Sequence, residues 1–272
     1  MKNPLTPKWL ETASDLSALD ARIWPRTAGR TERGEISIGS IPASELVRQF
    51  GTPLYVVDQE DFEARLMMAK RAFSDAASKI GTTAKTYYAS KALLTTDVVR
   101  WVDQADLSID VSTGGELAVA LAAGIDGSRI GMHGNNKSLV EISKAIASDI
   151  GAIVIDSELE IERIAAVALA QGKNQAVRLR VNSGVHAHTH EHLATAREDQ
   201  KFGVALTDVP ELVAKIRSHS HLRFLGLHSH IGSQIFVVDG FVAAAERLLD
   251  VHAQLLKSGD VPELNLGGGF GI

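Results

Sequence analysis

The chain has 272 residues, enough to bury a large core, and its 45% hydrophobic and 22% charged content is that of a globular protein. With 33 acidic against 28 basic residues the net charge is -5, which removes any general attraction to nucleic acid or anionic membranes and makes any anion site a local one. Cysteine is absent, which excludes disulfides and thiolate metal sites; the first residues lack a secretory apolar core, no apolar run reaches the roughly 18 residues of a membrane span, and a soluble cytoplasmic protein is expected.

Residues 1–34 carry Pro4, Pro7 and Pro25 with scattered charge and no apolar period, and read as an irregular arm. Residues 35–53 read as a lead-in strand and helix, with the strand at Ile36 to Ile38, and 54–272 as one α/β domain. Short apolar, β-branched or aromatic runs within it predict buried strands at Leu54 to Val57, Thr86 to Tyr88, Leu107 to Val111, Ile130 to Met132, Ala152 to Ile155, Ala176 to Val181, Phe224 to Leu227 and Leu264 to Leu266. Helix-period segments fall between them at 61–80, 115–124, 139–148 and 158–172. The tetrads Thr113 to Glu116, Ser138 to Glu141 and Ser157 to Glu160 each fit a capping box, in which a hydroxyl and a carboxylate satisfy backbone donors at a helix start. Alternating strand and helix at a pitch of roughly 23 residues suits a (β/α)8 barrel better than an open doubly wound sheet.

Directly after successive apolar runs come Lys91, Asp110, His133, Asp156, Asn182, His230 and Gly267. Parallel strands would gather these on one C-terminal face, where barrel enzymes carry their chemistry. A lysine in a partly apolar barrel mouth has a lowered pKa and can form a Schiff base with an aldehyde cofactor, which gives Lys91 a possible role beyond solvation. Such a cofactor needs a phosphate site on the same face. The run Leu266-Gly-Gly-Gly-Phe-Gly271 could provide one, because consecutive glycines free backbone N–H groups to converge on an anion. It is not a dinucleotide fingerprint, and no GxxxxGK[ST] loop occurs. His228-Ser-His230-Ile-Gly-Ser233 adds two imidazoles and a hydroxyl, suited to stacking on a pyridine ring and donating to phosphate.

Taken together, Tyr88-Ala-Ser-Lys91-Ala, Asp110-Val-Ser-Thr-Gly-Gly-Glu116, His133-Gly-Asn-Asn-Lys-Ser138, His186-Ala-His-Thr-His-Glu-His192 with Lys201-Phe-Gly203, His228-Ser-His-Ile-Gly-Ser-Gln234 and Leu266-Gly-Gly-Gly-Phe-Gly-Ile272 resemble the diaminopimelate decarboxylases, in that family's order and most closely its actinobacterial branch. The resemblance implies an alanine-racemase-type fold, a (β/α)8 barrel joined to a β-domain, and pyridoxal 5'-phosphate as cofactor. It implies that Lys91 forms the Schiff base, that His230 stacks on the ring, and that Ser233 with Gly267, Gly268 and Gly269 holds the phosphate. Asp110 and Arg180 match positions lining the cofactor pocket, with Glu116 a weaker match, and Asn182-Ser183-Gly184 departs from the usual proline. The implied reaction is decarboxylation of meso-diaminopimelate to L-lysine by a homodimer.

The family's Glu-Pro-Gly-Arg segment, its Cys-Glu-Ser-x-Asp-type motif and a late tyrosine do not occur among the 272 residues, and about seven barrel strands are legible where the fold needs eight. The chain is therefore read as an N-terminal portion, inactive alone, with residues 35–53 associated with an absent β-domain and Ile36 to Ile38 left without a strand partner. Two further readings stay open beside this one: another pyridoxal-phosphate-dependent basic amino-acid decarboxylase, and a non-catalytic pyridoxal phosphate carrier. His186, His188, His190 and His192 alternate as metal ligands on a strand would, but their polar setting favours a solvated loop, and no metal is expected.

Overall fold

The structure is a computed structural model and describes residues 7, 15, 17–185 and 202–271. Contacts divide the chain into two compact units, residues 1–75 and 76–272. In the first, β1 (Gly29–Arg30), β2 (Ile36–Ile38) and β3 (Ile41–Pro42) form an antiparallel sheet, followed by α1 (Ala43–Phe50). The expectation that Ile36 to Ile38 would lack a partner is corrected here: Ser37 pairs with Gly29 on one side, and Ile38 with Ile41 on the other. Gly39 and Ser40, both at positive φ, form the two-residue turn that matches the twist of the β2–β3 hairpin. Leu54 to Val57 is not a strand. Its apolar composition predicted one, but no neighbouring strand among the described residues takes up its backbone groups, and Tyr55 is 98% exposed.

Helix α2 (Gln59–Ser78) carries the chain into the second unit. There follow β4 (Tyr87–Ala89), α3 (Thr96–Gln104), β5 (Ser108–Val111), α4 (Gly114–Ala123), β6 (Ile130–Met132), α5 (Leu139–Ala147), β7 (Ala152–Ile155) and α6 (Glu158–Gln171). After them come β8 (Gln175–Asn182), β9 (Val204–Ala205), α7 (Val209–Ser218), β10 (Leu222–His228), α8 (Asp239–Leu255) and β11 (Glu263–Asn265). Seven strands run parallel in the order β11-β10-β8-β7-β6-β5-β4, with β9 beside β8. Strand followed by helix, repeated with parallel pairing, is the barrel arrangement the sequence predicted.

The helix starts divide the three predicted capping boxes. Ser138 and Glu141 make the full box. Thr113 accepts from the Glu116 N–H, but the Glu116 carboxylate turns back to the N–H of Ser112 at 2.5 Å, so only half of that box forms. Ser157 makes no side-chain cap, because Glu160 is buried and engaged elsewhere: it accepts from the Asp156 N–H at 2.8 Å and from Lys137 Nζ at 2.8 Å. The Lys137 ammonium is 1% exposed and also donates to the carbonyls of Gly134 at 2.5 Å and Val154 at 2.8 Å, so the loops after β6 and β7 are bolted together. Desolvation pulls the Lys137 pKa down, and the Glu160 carboxylate opposes that shift.

Alternation along the strands decides what each face carries. Ile109, Val111, Ile130, Met132, Ile153, Ile155, Val177 and Leu179 share one face and are fully or almost fully buried, as are helix residues Val99, Leu117, Ile142, Ile161 and Val213. Burial of each such side chain contributes about 1.5–3 kcal/mol. The intervening residues, Tyr87, Ser108, Asp110, Arg178, Arg180, His228, Glu263 and Asn265, lie on the opposite face, in register where the strands pair: Arg178 with Gly226 and Glu263, Arg180 with His228 and Asn265. That face is concave. Arg178 on β8 donates to Glu263 on β11, the strand at one end of the path, at 2.6 and 2.9 Å, and to the Tyr87 hydroxyl on β4 at the other end, at 3.2 Å.

Removing this cation should therefore cost more than weakening its acceptor. Arg178→Met is expected to lower unfolding free energy by about 3 kcal/mol, because a buried cation and three hydrogen bonds are lost together. Glu263→Gln, at a side chain 41% exposed and still able to accept, should cost less than about 1.5 kcal/mol. Urea denaturation of the two variants checks the order.

Candidate active site

The upper layer of the concave face and the loops just beyond it hold the residues singled out from the sequence. Lys91 follows β4 in a single 3-10 turn, Ser90 to Ala92, with Ser90 buried and its hydroxyl unpartnered. Asp110 sits within β5, and its Oδ1 approaches Nε2 of His133, just past β6, at 3.2 Å but without hydrogen-bond geometry; both atoms are buried and lack a hydrogen-bond partner. Asp156, at the end of β7, is 3.4 Å from Arg180 of β8, whose guanidinium also lies over the Phe202 ring at 4.5 Å. His228 ends β10. Its ring meets that of His133 edge to face at 4.8 Å, and its Nδ1 is 3.0 Å from Oδ1 of Asn265, the last residue of β11.

His230 and the glycine run come together just above this layer. Gly267 and Gly269 have positive φ, and a Cβ on either would strike backbone, the Ser229 carbonyl for Gly267 and the Gly232 carbonyl for Gly269. Only glycine lets these two loops approach so closely. Gly268 is different: a Cβ there would meet nothing within 4 Å, and among the described residues neither its N–H nor that of Gly269 has an acceptor. The His230 ring lies 3.3 Å from where a Cβ on Gly269 would be, and Ser233 is exposed in the adjoining loop. Glu116, the weaker match, is occupied by the Ser112 backbone. The His186 to His192 cluster lies outside the described residues.

Both imidazoles are held neutral. Burial, then the nearby charges of Lys91, Arg180 and His133, lower the His230 pKa from 6.5 to about 4. Burial, reinforced by His133, pushes His228 well below 6.5 as well. Sequence reasoning missed Asn265, although an amide inside the apolar run Leu264 to Leu266 was a signal. It also missed the pairing of Arg178 with Glu263, whose trace was the pair of arginines two positions apart in β8, Arg178 and Arg180.

The model of one protein family, described as the pyridoxal-binding domain of pyridoxal-dependent decarboxylases, matches residues 65–272. The chain belongs to the pyridoxal-dependent decarboxylases. A diaminopimelate decarboxylase of Mycobacterium tuberculosis is 43% identical over 267 residues, covering 95% of this chain and 58% of the relative, and one of Bacillus subtilis is 39% identical over 250 residues, covering 90% and 56%. The chain thus spans a little over half the length of these relatives. Among solved structures, a diaminopimelate decarboxylase of M. jannaschii superposes with a TM-score of 0.82 at 29% identity, over 90% of this chain and 57% of that one.

The residues present fit this family's cofactor. An aldehyde with a flat ring and a phosphate asks for an amine, a neutral ring to lie against and an anion cradle, and Lys91, His230 and the open backbone at Gly268 supply the three kinds of group.

The neutral imidazoles give a pH dependence with a defined sign. The unfolded chain takes up a proton on each histidine near pH 6.5, whereas the folded chain resists protonation of His230 until about pH 4. Stability from the neutral ring is intact above about pH 6.5 and falls as the pH drops toward 4, with His228 acting in the same direction. Nuclear magnetic resonance titration should find His230 near pH 4; a titration near 6.5 would show the ring to be hydrated.

Proposed function

We propose that the native protein is a pyridoxal-phosphate-dependent carboxy-lyase that converts meso-diaminopimelate to L-lysine. The observation that carries this reading is the convergence, at the C-terminal ends of parallel strands, of Lys91, a neutral His230 and an unpartnered glycine backbone, in a chain whose curated relatives are diaminopimelate decarboxylases. A second structure of the M. jannaschii diaminopimelate decarboxylase, matched at 28% identity with a TM-score of 0.80, is in complex with L-lysine, the product this reading requires.

When bound, the cofactor supplies an electron sink for the charge left behind as carbon dioxide departs. The protein's own residues bind and orient. The Lys91 amine would be the covalent anchor for the cofactor's aldehyde carbon, and its Nζ would take up the proton given up by a substrate amine that displaces it. The His230 imidazole, kept uncharged by burial and by the nearby charges of Lys91 and Arg180, would offer a flat face to the ring. The N–H groups of Gly268 and Gly269, with Gly267 shaping the turn and the Ser233 hydroxyl in the adjoining loop, would hold the phosphate by hydrogen bonds instead of by cations, which suits a chain of net charge -5. Arg180, steadied by Asp156, and Asp110, beside His133, line the same layer of the site. On the family resemblance we read the native protein as a cytoplasmic homodimer, which sedimentation velocity tests.

Borohydride reduction of the protein loaded with pyridoxal 5'-phosphate, followed by peptide mapping, should place the pyridoxyl group on Lys91. Recovery of the label on another lysine would refute that assignment. The native protein should release carbon dioxide from meso-diaminopimelate at least roughly tenfold faster than from L-lysine or L-ornithine, a difference of about 1.4 kcal/mol in the barrier. Equal rates would point instead to a broader basic amino-acid decarboxylase.

A further inference from the structure

We infer that Asn265 is a positioning residue for the anion cradle: its side-chain oxygen, held by His228, fixes the Gly267 turn that presents the N–H groups of Gly268 and Gly269 to a phosphate. The inference rests on the reading of this glycine run as the phosphate site.

Asn265 fastens the ends of two strands at three points. Its backbone carbonyl accepts from the Ser229 N–H at 3.1 Å, which extends the β10–β11 ladder into the loop that carries His230. Its Oδ1 accepts from the Gly267 N–H at 2.9 Å, closing a turn two residues ahead. The same Oδ1 lies 3.0 Å from Nδ1 of His228, the residue opposite Asn265 in the strand register. The Gly267 contact identifies this atom as the amide oxygen, since a backbone N–H needs an acceptor. His228 must then carry its proton on Nδ1 and donate.

The His228 ring has little freedom to do otherwise. It is 4% exposed, and the His133 ring abuts it edge to face. Burial keeps it neutral, so it presents one N–H and one lone pair, and the N–H is committed to Asn265. Gly267 turns at φ +71, a conformation glycine adopts freely among many others, so the hydrogen bond from its N–H to Asn265 is what selects this turn. With it held, the next two residues keep their own N–H groups for a ligand. An amide that serves two donors on one side and leaves two donors free on the other is what a preformed anion site requires.

The test compares the equilibrium affinities of pyridoxal 5'-phosphate and of pyridoxal, which lacks the phosphate, for the native protein and for Asn265→Ala and Asn265→Ser. Asn265→Ala should weaken pyridoxal 5'-phosphate about tenfold and change pyridoxal by less than about twofold. Asn265→Ser, whose hydroxyl can still accept weakly from Gly267, should recover part of the loss. A native preference for the phosphorylated aldehyde that survives Asn265→Ala undiminished would overturn the inference alone. Equal affinity of the native protein for both aldehydes would overturn the phosphate reading of the glycine run, and this inference with it. Independently of any variant's folding, nitrogen-15 spectra of histidine-labelled native protein should show His228 protonated at Nδ1 and bare at Nε2; the opposite tautomer would overturn the proposed clamp.

Discussion

Parallel strands that curl upon themselves enclose their inward side chains, and a charged group placed there is costly to leave without a partner. Here the outward face is largely apolar, and the inward face sets small and apolar residues such as Ala152, Val154 and Ala176 beside two arginines on β8, carboxylates on β5 and β11, and a histidine at the end of β10. Arg178 answers the constraint in the lower layer by joining residues from both ends of the strand path. Desolvating that guanidinium is costly unless its donors are used: Nε and Nη2 are taken up by Glu263 and Tyr87, while Nη1 stays buried without a partner among the described residues.

One layer higher the same constraint produces the site. Arg180 has Asp156, and His228 has Asn265, but Asp110 Oδ1 and His133 Nε2 lie close together without a hydrogen bond, and the backbone at Gly268 and Gly269 is open. Partnered groups give rigidity, and the unpartnered groups of this layer are the ones left open to a ligand. The buried Lys137–Glu160 pair serves the first purpose, since it ties together the segments that bear His133 and Asp156.

Much of this was legible in the sequence, and the exceptions have physical causes. Apolar runs located the seven parallel strands to within a residue or two, because strands buried by helices on one face need β-branched side chains whatever lies on the other. The same composition misled at Leu54 to Val57, where an apolar run has no neighbouring strand among the described residues. Spacing alone could not tell the true capping box at Ser138 from the false one at Ser157, because it does not reveal that Glu160 is drawn to Lys137. Lys91, His230 and the glycine run stood out as residue types with few bland explanations in combination. Asn265 did not, because a lone amide in a strand gains meaning only when two donors from distant parts of the chain converge on one oxygen.

The central claim is that one concave layer brings together an amine, a neutral imidazole and an open glycine backbone in a geometry suited to a single phosphorylated aldehyde. A crystal structure of the protein loaded with pyridoxal 5'-phosphate tests it most directly. The account predicts density continuous with Lys91 Nζ, a ring lying flat against His230, and phosphate oxygens within hydrogen-bonding distance of the Gly268 and Gly269 N–H groups. A phosphate bound elsewhere, with the glycine turn empty, would contradict it.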